Sequence, residues 1–68
     1  MDDAERAYYL RLKTLANNIE TMNEELNNSI VDLAEHGAIF LKTIKVLNKA
    51  YMANLEAIAR INELGTSD

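Results

Sequence analysis

Large apolar residues recur at alternating steps of four and three along a chain with no proline and only two glycines. Tyr8, Leu12, Leu15, Ile19, Met22 and Leu26 make the first run, and the pattern resumes through Ile30, Leu33, Phe40, Ile44, Leu47, Tyr51, Ile58 and Ile61. That period belongs to a helix burying one seam against another helix. The spacing predicts an all-α fold: an antiparallel helical hairpin, reversing within 27–37, that packs with partner chains into a multi-helix bundle or coiled coil.

The ends of the helices carry their own signals. Asp2 is a natural N-cap with Glu5 three residues on, close to a capping box, and both suit the positive end of the helix dipole. The first helix is expected to reach about Leu26. The second is expected to end near Leu64, where Gly65 suits the position just past a helix, leaving 65–68 as a frayed tail of a single helical domain, 1–68. Three readings of the reversal stay open. Asn27-Asn28-Ser29 offers a turn, with Ser29 and Asp32 spaced as a capping box. The apolar spacing also slips there, with two successive steps of four from Met22 through Leu26 to Ile30. His36-Gly37 offers a helix stop, although no capping side chain follows before Thr43. A stutter in one unbroken helix is the third reading, since a glycine costs only about 1 kcal/mol inside a helix.

The second helix is apolar on more than one face. One stripe is Phe40, Ile44, Leu47, Tyr51, Leu55 and Ile58; another, about 100° around the axis, is Val46, Ala50, Ala53, Ala57, Ile61 and Leu64. One neighbour needs one stripe. Two stripes call for a second covering surface, and a 68-residue chain without cysteine has no disulfide to compensate for a thin core. Partner helices, from a homo-oligomer or a hetero-complex, are therefore expected. The expected interface comprises Leu12, Leu15, Ile19, Met22, Leu26, Phe40, Ile44, Leu47, Ala50, Tyr51, Ala53, Ala57, Ile58, Ile61 and Leu64. Asn54 falls at a three-four position between Tyr51 and Ile58, where a buried Asn can fix register and partner number; the other reading puts Leu55 in the core slot and Asn54 at the rim. Asn23 and Asn27 are expected at the surface.

Composition narrows the function classes. A net charge of −4 argues against direct nucleic-acid binding, which needs clustered Lys and Arg. No segment approaches the ~20 apolar residues that span a bilayer, and the acidic start Met1-Asp2-Asp3-Ala4-Glu5 does not read as a signal peptide. A soluble, intracellular protein is expected. The charge is split: −5 over residues 1–37 and +1 over 38–68, a weak bias toward antiparallel pairing.

Nothing in the residue pattern supports catalysis. His36 is the lone histidine, and with Asp32 and Glu35 it falls short of a zinc or di-iron ligand set. Glu20 and Glu24 share a helix face but no cleft that would shift a pKa. There is no glycine-rich phosphate loop and no nucleophile–base pair. The expectation is no enzyme, no metal, no cofactor and no small-molecule substrate. Lys42, Lys45 and Lys49, with Met52, Glu56, Arg60 and Glu63, read as a solvated stripe.

Two segments carry a family resemblance. Asn18-Ile19-Glu20-Thr21-Met22-Asn23-Glu24 resembles a run in the smallest subunits of the DASH complex, the fungal assembly linking kinetochores to spindle microtubules, and Tyr51-Met52-Ala53-Asn54 resembles a later Tyr-x-x-Asn of that family. The resemblance implies a nuclear, kinetochore-type scaffold subunit that folds with partner helices. From the residues themselves, the expected role is a non-catalytic structural or interaction subunit. The alternative is a small acidic adaptor or inhibitor that docks on a basic protein surface.

Overall fold

The computed structural model describes residues 2–64 as helix α1 (Asp3–Glu35), a 3₁₀ turn (Ala38–Phe40) and helix α2 (Leu41–Leu64). The helices are antiparallel. Lys13 Nζ donates to Asn62 Oδ1 at 3.0 Å near the open end, and Asn23 Nδ2 donates to the Tyr51 carbonyl at 3.1 Å near the middle. The result is a rod of 52 × 16 × 13 Å. Its length is that of α1, since 33 residues rise about 50 Å.

Helix α1 starts as its sequence implies. The Asp2 carboxylate accepts from the Glu5 backbone N–H at 2.8 Å, satisfying one of the orphan donors of the first turn. The helix then continues through Asn27, Asn28 and Ser29 to Glu35, rather than stopping near Leu26. Both the reversal at 27–29 and the unbroken helix are thereby corrected: the chain turns at His36-Gly37. Gly37 supplies the reason. Its φ of 86° with ψ of −158° lies in a region that only glycine enters freely, and it is the sole positive φ among the described residues. The His36 and Gly37 N–H groups close the helix on the Leu33 and Ala34 carbonyls, at 3.1 and 3.2 Å. The His36 ring meets the Asp32 carbonyl at 3.0 Å and packs edge-on to Phe40, with ring centroids 6.2 Å apart. The 3₁₀ turn starts at Gly37 without a side-chain cap and runs directly into α2. The proposed cap at Gly65 and the frayed tail lie outside the described residues.

The seam follows one strict register. On α1 it is Tyr9, Leu12, Ala16, Ile19, Asn23, Leu26, Ile30 and Leu33; on the other side it starts at Phe40 in the 3₁₀ turn and continues on α2 through Ile44, Leu47, Tyr51, Asn54, Ile58 and Ile61, all buried or half-buried. Steps of three and four alternate without interruption through both helices. The slip read between Met22 and Ile30 disappears once Asn23 takes the inner position. Tyr8, Leu15 and Met22 therefore stand beside the seam and are exposed. Leu55 is exposed too, and Asn54 holds the core slot.

One seam makes a thin core. Ala16, Ile58 and Ile61 are the buried apolar residues among those described, and no large side chain there is fully enclosed. Ala16 falls level with Ile58 by the antiparallel pairing, a small residue facing large ones.

Candidate functional site: a polar clasp and an apolar flank

Two features stand out on the hairpin, one inside the seam and one beside it. Inside, Asn23 is only 5% exposed. Its Oδ1 accepts from Asn54 Nδ2 at 2.8 Å, and its own Nδ2 donates to the Tyr51 carbonyl. Asn54 Nδ2 also lies 3.9 Å from Met22 Sδ. Every buried side-chain polar atom among the described residues has a partner. Asn23 lies in the seam and not at the surface as expected, and of the two readings of Asn54 the structure takes the seam position over the rim. The heptad register itself was the available signal, because only Asn23 keeps the spacing unbroken from Ala16 to Leu33. The clasp joins the stretches 18–24 and 51–54.

Beside the seam, the two flanks of the hairpin differ. On one, α1 presents Lys13, Glu20 and Asn27, and α2 presents Leu41, Asn48, Leu55 and Asn62. The Lys13–Asn62 hydrogen bond crosses this mixed flank, on which Leu41 and Leu55 are also exposed, and Lys13 Nζ sits 5.5 Å from the Tyr9 ring centroid. A shallow depression there is lined by Glu20, Glu24, Asn27, Tyr51 and Leu55. On the other flank, α1 presents Tyr8, Leu15, Met22 and Ser29, one every heptad, while α2 presents Thr43, Ala50, Ala57 and Leu64. Val46 and Ala53 extend the α2 wall outward. The exposures are large for apolar side chains: 64% for Tyr8, 53% for Met22 and 66% for Val46. Toward the open end this flank dips into a hollow lined by Leu12, Ile61 and Leu64, with Arg60 and Glu63 on its rim.

The expected interface residues thus divide into two sets. Leu12, Ile19, Leu26, Phe40, Ile44, Leu47, Tyr51, Ile58 and Ile61 meet in the intramolecular seam. Leu15, Met22, Ala50 and Leu64 are exposed on the apolar flank, Ala53 is exposed beside it, and Ala57 is half-buried at its edge. Ile61, read from sequence as part of the second stripe, belongs to the seam.

Among the described residues, no group of three or more His, Asp or Glu is gathered to hold a metal ion, and no helix is long and apolar enough to cross a membrane. The chain matches no protein-family model, no curated protein and no solved structure.

Proposed function

We propose that this hairpin is a non-catalytic subunit that contributes two helices to a larger helical bundle. The observation that carries the reading is the apolar flank. Tyr8, Leu15 and Met22 on α1, with Val46, Ala50 and Leu64 on α2, stand exposed in a strip beside a seam that already has its own partner. Exposed apolar side chains grouped on one flank are the kind of surface at which proteins associate. Against that frame, the likeness of 18–24 and 51–54 to the small DASH subunits suggests a kinetochore-type scaffold as the setting.

The test is sedimentation of the purified chain beside two variants. Leu15→Glu and Ala53→Glu place a charge in or against the strip and should abolish assembly, whether with itself or with a co-purified partner. Asn17→Glu, on the opposite face, should leave it intact. A monomer that melts cooperatively at micromolar concentration, with a midpoint independent of concentration, overturns the proposal.

A further inference from the structure

The apolar strip is bordered by charges in an order that specifies its occupant. Along α2 the bordering row, at seven-residue steps, is Lys42, Lys49, Glu56 and Glu63. Two lysines lie toward the turn and two glutamates toward the open end, so the sign changes between 49 and 56. The apolar positions on that face, Val46, Ala50, Ala53, Ala57 and Leu64, are centred on the same level, with the smallest residues in the middle and Arg60 interrupting them seven residues past Ala53. Along α1 the bordering row is Arg11, Asn18, Glu25 and Asp32, which passes from positive to negative across the neutral Asn18. The Asn23–Tyr51 and Asn23–Asn54 bonds place Asn23 level with the middle of α2. The α1 row therefore reverses within about two turns of the height at which the α2 row does.

A pattern antisymmetric about one height is complementary to itself after a half-turn. We propose that the strip closes on a second copy of this chain, with α2 antiparallel to the partner's α2 about a two-fold axis near Ala53. Lys49 then meets the partner's Glu56, Lys42 meets the partner's Glu63, and Arg11 meets the partner's Asp32. An interface of this symmetry is isologous, each contact occurring twice. Ala50, Ala53 and Ala57 let the two α2 helices approach closely at the axis. Packing α2 parallel to its copy would set lysine on lysine and glutamate on glutamate. The inference rests on the bundle-subunit reading and names the partner that the strip takes.

Charge exchange tests it. In Lys49→Glu, both contacts become glutamate on glutamate; in Glu56→Lys, both become lysine on lysine. Each variant alone should dimerise about tenfold more weakly at low salt, the sum of two exposed pairs turned from attractive to repulsive. Mixing the two variants should restore parental affinity, because every 49–56 contact is then of opposite sign. The chain carrying both substitutions should dimerise as the parent does. All these differences should shrink in high salt. Sedimentation equilibrium reads each species. A dimer indifferent to the exchange, single variants that mixing does not rescue, or a chain that pairs only with a different protein would overturn this geometry and leave the bundle-subunit reading standing. A folded monomer at every concentration would overturn both.

Discussion

Asn54 donates its side-chain amide to Asn23 across the seam at 2.8 Å, with apolar layers above and below. A polar pair inside an otherwise apolar seam sets alignment at a cost in stability. Sliding one helix past the other would bury both amides against leucine or isoleucine, without partners.

Removing one partner should therefore cost more than removing both. Asn54→Ala strips Asn23 Oδ1 of its donor and should destabilise the chain by about 1–3 kcal/mol in urea titrations. Changing both asparagines to leucine should raise the urea midpoint above that of Asn54→Ala, and sedimentation should show a broader spread of oligomers. A single variant as stable as the parent would remove the clasp from the account of the fold.

The turn depends on one backbone conformation. A Cβ at Gly37 would meet nothing within 4 Å, so any penalty for Gly37→Ala is conformational and not steric crowding by neighbours. At φ 86° and ψ −158° it should amount to about 1–3 kcal/mol. Alanine also favours helix, so the strained turn should give way in part to straightened chains paired end over end. Small-angle scattering should then report a maximum dimension well beyond the 52 Å of the hairpin. An unchanged dimension and melting temperature would show the turn to be indifferent to this residue.

At the start of α1 the prediction is smaller and cleaner. Asp2→Ala removes the acceptor for the Glu5 N–H and should cost about 1 kcal/mol, read as a lower midpoint in far-UV circular dichroism melts. Asp2→Asn keeps an acceptor oxygen and should lose much less.

Two truncations separate the seam from the strip. Ile58 is buried in the hairpin itself, so Ile58→Ala should destabilise by about 2 kcal/mol or more at any protein concentration. Val46 is exposed in the single chain, so Val46→Ala should be within about 0.5 kcal/mol when dilute. Its effect should grow as concentration drives assembly. Equal effects at all concentrations would mean that nothing covers Val46.

The period of the seam was legible from residues alone, but its phase on α1 was not. Leu15 and Met22 are larger and more apolar than their neighbours Ala16 and Asn23, so a reading by hydrophobicity selects them. The structure selects Ala16 and Asn23, because only they continue the spacing to Ile30 and Leu33. Leu55 displaced Asn54 in the same way. The error has a physical source: a helix that serves two surfaces is apolar at positions flanking each of them, and side-chain chemistry does not say which surface is inner. The turn was harder. Asn27-Asn28-Ser29 has the chemistry of a turn, yet its backbone also fits a helix when Leu26, Ile30 and Leu33 hold the flanking turns in the seam. Gly37 alone adopts a conformation that other residues resist.

The unlike character of the two flanks bears on how far assembly can run. A rod sticky all round would add neighbours without limit and grow into a filament. Here one long side sets Tyr8, Leu15, Met22, Val46 and Leu64 together, while the other intersperses Leu41 and Leu55 with lysine, glutamate and three asparagines. If the first side is taken up by a partner, what remains is apolar residues broken up by polar ones, a poorer surface for recruiting further copies, which favours a small particle over a filament.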